Sequence, residues 1–163
     1  MTVPSVRALF YLANYTAEVR EEELVDWIAA HPESKRDLLD LEASIFVTGD
    51  GQEAEVADNL VNLLEALCFD AVATVMQGGE GAFDLYTAET TVRLKPVNDQ
   101  VVLESTVCDP VTFPKVAFLD ALVSCGERCL GLIEQIWGND TPRASVFTAL
   151  RAKARQVREA LAA

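Results

Sequence analysis

His31 is the single histidine in the 163-residue chain. It is therefore the one side chain whose ordinary pKa suits base catalysis near neutral pH. It stands between a helical run and Pro32, and it reads as a helix-end residue whose cation would suit the helix dipole. No Gly-x-Ser-x-Gly nucleophile elbow accompanies it. Four cysteines are present: Cys68, Cys108, Cys125 and Cys129. Cys125 and Cys129 lie one helical turn apart, not at the two-residue gap of a zinc knuckle or redox pair. Cys68 and Cys129 fall in apolar patterns and read as buried thiols in a reducing compartment. The glycine-rich Gln77–Gly81 carries Glu80 and no following Lys-Ser/Thr, so it is no phosphate cradle. Gly49-Asp50-Gly51-Gln52-Glu53 lacks the alternating ligands of a calcium loop and reads as a β-to-α turn. Carboxylates are plentiful, with 26 acids, so close pairs arise by chance. No catalytic residue, metal or cofactor is assigned.

Charge gives a stronger signal. Against the 26 acids stand 13 bases, for a net charge of −13. Residues 1–90 hold 18 acids and 4 bases, whereas residues 139–163 hold 2 acids and 5 bases. Nucleic acid and anionic membranes need a positive patch, so neither is an expected partner. A basic protein partner is expected. The Glu21-Glu22-Glu23-Asp26 run sets like charges within a turn or two, which costs helix stability. Trp27 lies among them, and aromatic residues beside charge mark interface hot spots. The candidate partner-binding residues are Glu21, Glu22, Glu23, Asp26, Trp27, Asp37, Asp40, Asp50, Glu55 and Asp58.

These side chains need elements to position them. The length favours one domain, residues 1–163. Val6–Leu12 suits either a strand or a first helix turn. Glu18–Ala30 is predicted as a helix ended by Pro32, and Lys35–Leu41 as a short helical turn. Ala43–Thr48 is predicted as a strand. Glu53–Ala71 is predicted as a helix with Val56, Leu60, Leu63, Leu64 and Leu67 on one stripe and Glu55, Asp58, Asn62 and Glu65 opposite. Strands follow at Phe83–Thr87, Thr91–Lys95 and Val101–Thr106, the last two joined by a Pro96–Asp99 turn. A long helix is predicted over Lys115–Trp137, with Gly126 on its seam for close approach. A last helix follows, capped by Thr141 with Pro142 at its first position. Arg151, Arg155 and Arg158 line its outer side. The fold class is α+β: a small antiparallel sheet of about four strands packed on long amphipathic helices.

Val56-Ala57-Asp58-Asn59-Leu60-Val61-Asn62-Leu63-Leu64, the short hairpin, and Phe113-Pro114-Lys115 leading into the long helix form a pattern over residues 45–160. In this it resembles the immunity proteins that neutralise polymorphic or contact-delivered bacterial toxins. That resemblance implies a stoichiometric inhibitor of a toxin domain, not an enzyme. The chain is also similar to acidic chaperones of secreted effectors, which would imply a homodimer. It departs from them in the long helix between its first strand and the hairpin. No functional residue carries over from either group. The third reading is a metal-dependent hydrolase using acids around Asp50. Met1–Arg7 lacks the basic and apolar regions of a signal peptide, so a cytoplasmic location is expected.

Overall fold

The computed structural model describes residues 3–35, 40–138, 141 and 143–163. Val6, Ala8, Phe10 and Leu12 alternate inward along β1, Ser5–Leu12. That alternation settles the ambiguous first segment as a strand. The chain turns through Ala13, Asn14 and Tyr15, all at positive φ. It returns as β2, Ala17–Arg20, then makes a 3-10 turn at Glu21–Glu23 and helix α1, Leu24–Ala30. The predicted helix over Glu18–Ala30 is thus cut short. Its first residues pair with β1, with Val19 opposite Phe10 and buried. Most of the predicted turn at Lys35–Leu41, including Asp37, lies outside the described residues.

β3 spans Glu42–Gly49 and β4 spans Gln52–Asn59, paired antiparallel. The helix predicted from Glu53 is corrected here: residues 53–59 are strand. Asp50 and Gly51 both take positive φ, the geometry of a two-residue hairpin turn. Gly49-Asp50-Gly51 therefore joins two strands, not a strand and a helix. Val56 fits a period of two with Ala54 and a helical stripe with Leu60, and the turn decides between them. The helix begins after Asn59, whose side chain accepts from the Val61 N–H at 3.0 Å.

That helix runs through α2 (Leu60–Asn62), a π-helical stretch (Leu63–Asp70) and α3 (Ala71–Met76). Four strands follow: β5 (Gly81–Asp84), β6 (Thr91–Val97), β7 (Gln100–Ser105) and β8 (Cys108–Pro114). β8 has no counterpart among the predicted strands, and it carries Pro110 and Pro114. As an edge strand it tolerates proline. Helices α4 (Lys115–Trp137) and α5 (Ala144–Ala162) end the fold. Arg143 precedes α5 at φ 50°. Thr141 instead donates to the Gly138 carbonyl at 2.6 Å, so it does not cap α5. Pro142 lies outside the described residues.

The architecture is α+β with two four-stranded antiparallel sheets, ordered β2-β1-β3-β4 and β5-β6-β7-β8. Their inner faces and the helices share one core. α4 packs on β1 of the first sheet and on β7 and β8 of the second. A Cβ on Gly126 would lie 2.7 Å from the Phe69 ring and 2.9 Å from Cys68 Cβ. Glycine there admits the π-helical stretch against α4. Cys68, Cys125 and Cys129 are buried free thiols, and Cys108 is exposed. Burial, as the leading cause, pushes the Cys68 thiol well up.

Candidate functional site

No helix among the described residues covers the outer face of the first sheet. Its rows follow from register: Tyr11 lies between Glu18 and Glu42, Leu9 between Arg20 and Ser44, and Arg7 beside Phe46. On β4, Glu55 stands opposite Phe46 and Glu53 opposite Thr48. The centre of this face is apolar. Leu9, Tyr11 and Phe46 are half-buried, and the Tyr15 ring lies 6.1 Å from that of Tyr11. The Arg7 guanidinium sits over the Phe46 ring at 5.8 Å.

Ser44 points outward yet is fully buried. Its hydroxyl donates to Glu55 Oε1 at 2.6 Å, and the Tyr11 hydroxyl lies 2.7 Å from Ser44 Oγ. Burial holds the Tyr11 phenol above its ordinary value, the Ser44 hydrogen bond opposing and Glu55 reinforcing the shift. The phenol therefore stays a donor. Ser44 is enclosed by these partners and presents no nucleophile to a substrate.

Acids surround this centre. Burial, then the negative charges of Asp58 and Asp40, raise the Glu42 carboxyl above its ordinary 4.5. Glu18, Glu42 and Glu53 form no ion pair among the described residues. Beside them, a hollow of about 360 Å³ is lined by Tyr11, Tyr15, Glu33, Asp40 and Glu42. The arrangement suits a cationic surface that also brings apolar side chains.

The sequence-derived candidates divide three ways. Glu22, Glu23, Asp26, Asp40, Asp50 and Glu55 are exposed. Arg20 Nε lies 2.5 Å from Glu23 Oε1 and 3.6 Å from Glu22 Oε1. Trp27 is half-buried and stacks on His31 at 4.1 Å, with His31 Nδ1 2.9 Å from the Trp27 carbonyl. Glu55 belongs to the open face, whereas Asp50 stands at the β3–β4 tip. Asp37 lies outside the described residues.

Glu21 and Asp58 are corrections. β2 pairs only with Leu9–Leu12 of β1. Beyond its end, Glu21 Oε2 accepts the Ala8 N–H at 2.9 Å, and Arg128 Nη2 donates to the Val6 carbonyl at 2.6 Å. Arg128 Nε closes the unit on Glu21 Oε1 at 2.9 Å. The two side chains stand in for the missing strand, so Glu21 is committed internally. Asp58 is 1% exposed and points into the protein. It accepts from the backbone N–H groups of Tyr86 and Thr87 (3.0 and 3.1 Å), the Thr87 hydroxyl (3.1 Å) and Asn62 Nδ2 (2.5 Å). Its inward direction follows from Ala54, Val56 and Asp58 sharing one strand face. It ties β4 to the loop after β5 and is closed to a partner.

Sequence reasoning missed Tyr11, Tyr15, Glu18, Glu42, Phe46 and Glu53. Strand alternation at 42–48 was the available signal, since it puts Glu42 and Phe46 on one face. The arginines of α5 are mostly neutralised by other helices. Arg158 pairs with Glu127 at 2.5 Å and with Asp120, and Arg151 lies 4.0 Å from Glu134. Lys153 meets Asp70 at 2.9 Å. Among the described residues, no three His, Cys, Asp or Glu side chains group to hold a metal ion. No described helix is long and apolar enough to cross a membrane. No family model matches the chain, and neither curated proteins nor solved structures match it.

Proposed function

We propose that this chain is a protein-binding module that docks a basic protein on the open face of its first sheet. The resemblance read from the sequence makes that partner a toxin domain, neutralised by stoichiometric binding as an immunity protein would do. One observation carries the docking face: a half-buried aromatic centre that, among the described residues, no helix covers, bordered by Glu18, Glu42 and Glu53, which form no ion pair with any described residue. Aromatic anchors supply binding energy where they are desolvated, and unpaired acids steer an opposite charge toward them. Of the acids named from sequence, Glu55 lies on this face, while Glu21 and Asp58 hold the fold.

The test uses a partner captured from the source cell. Reversing Glu18, Glu42 and Glu53 to lysine should slow association by about tenfold or more at low salt, with a weaker effect at high salt. An unchanged rate and salt dependence would remove the acidic face from the interaction. Inhibition of the captured partner's own activity at one-to-one stoichiometry separates an inhibitor from a chaperone.

A further inference from the structure

β4 is an edge strand of the first sheet, and hydrogen bonds tie it to β8 and to the loop after β5 near its two ends. At one end Gln52 Oε1 accepts the Thr112 N–H at 3.2 Å. At the other, Asp58 holds Tyr86 and Thr87. Between these ties lies a groove of about 380 Å³, walled by Ala54–Ala57 of β4. Its apolar side is formed by Leu85, Val92, Leu103 and Val111, with Val107 exposed at its mouth.

The backbone of β4 is available there. The two-residue turn makes Gly49 and Gln52 a hydrogen-bonded pair. Antiparallel alternation then directs the N–H and C=O groups of Glu53, Glu55 and Ala57 away from β3. β4 pairs with no strand on that side, and no backbone hydrogen bond among the described residues engages Glu55 or Ala57 there. An open edge beside an apolar trough has the makings of strand addition.

Charge selects the occupant. Glu55, Glu104 and Asp109 line the groove, with no Lys, Arg or His among its walls. Glu104 also meets Lys95 at 3.5 Å and Glu55 accepts from Ser44, so the rim keeps a net negative charge, with Asp109 free of an ion pair among the described residues. A second copy of this chain would set Glu53 and Glu55 against their own kind, and like charges across strands destabilise a pair. We infer that the groove takes a short extended segment of a protein partner, in which apolar residues alternate with lysine or arginine. The segment adds to β4, its apolar side chains enter the trough, and its cations meet the acidic rim. This deepens the binding-module reading by naming the partner's local chemistry, and it does not require that the partner be a toxin.

The probe is a fluorescein-labelled octapeptide of alternating valine and lysine, added to the full chain and read by fluorescence anisotropy. A control peptide of the same composition carries its valines and lysines in two blocks. The alternating peptide should bind about tenfold more tightly than the block peptide. Ala57→Pro removes an outward N–H at an edge position where proline is tolerated, and it should weaken binding about tenfold. On the unaltered protein, saturating peptide should slow amide exchange at Glu55 and Ala57, which keeps the question decidable if Ala57→Pro folds poorly. Equal binding of the two peptides would reduce the effect to charge attraction and overturn the proposal. Unchanged exchange at Glu55 and Ala57 would overturn it too. So would a homodimer in light scattering with those amides already protected, which would give the edge to a second copy. Lysine substitutions that slow partner association while peptide binding persists separate the open face from the groove.

Discussion

The two sheets finish their outer faces differently. On the second, charges are matched: Lys95 lies 3.5 Å from Glu104 on the neighbouring strand, and Arg93 lies 3.9 Å from Glu80. On the first, acids border an aromatic centre, and only Glu55 is drawn in, through Ser44 and Tyr11. A matched face satisfies itself in water. An unmatched one keeps potential for a partner, at some cost in self-repulsion. The same half of the chain also holds two acids that are fully committed, Glu21 and Asp58. Acidity in residues 1–90 therefore serves two purposes, and substitutions should tell them apart.

The largest effect should come from Asp58→Ala. Four donors would lose their acceptor inside the protein, at a cost of about 3 kcal/mol in urea unfolding. If the cost stayed near that of a surface site, Asp58 would belong with the exposed acids after all. Arg128→Ala should cost about 1–2 kcal/mol, because the Val6 carbonyl and Glu21 lose their shared donor beside partly exposed solvent. A double-mutant cycle with Glu21→Ala should show the two effects overlapping strongly. On the second sheet, a cycle of Lys95→Ala and Glu104→Ala should give a coupling of only about 0.5 kcal/mol, as exposed pairs do. That value would mark its charges as locally matched but not structural.

The smallest effect concerns Glu42. Its folded form holds a proton more tightly than the unfolded chain does, because burial and then the charges of Asp58 and Asp40 disfavour the carboxylate. That contribution favours folding below the ordinary value of 4.5 and is lost as pH rises through the raised one. Glu42→Gln should therefore raise neutral-pH stability slightly and flatten the decline above pH 4.5, as thermal melts across acid to neutral pH would show. A decline of unchanged steepness would detach Glu42 from this strain.

Much of this was legible in the residue order. The helix predicted over Lys115–Trp137 is α4, and Gly126 marks its close approach to another element. The strands predicted at Thr91–Lys95 and Val101–Thr106 are β6 and β7, but nothing local shows that they belong to a second sheet. The acidic half was visible from counting alone. What stayed hidden depended on contacts distant in sequence. Val56 fits a strand with Ala54 and a helix with Leu60, and Gly49-Asp50-Gly51 reads locally as a turn into either element. A helix over residues 53–59 would put Asp58 on its polar side, whereas the strand turns it inward. Glu21 gave no local sign that Arg128, 107 residues on, would claim it. The open face joins residues from four strands, so no single segment displays it.

The central claim is that the first sheet's outer face is where a partner docks. Hydroxyl-radical footprinting of the complex with the captured partner tests it most directly. Tyr15, which is 66% exposed, and Phe46 should lose oxidation in the complex, while Val116 at the start of α4, 77% exposed, should keep its own. Unchanged oxidation of Tyr15 and Phe46, with protection at Val116 or along α5, would contradict the account.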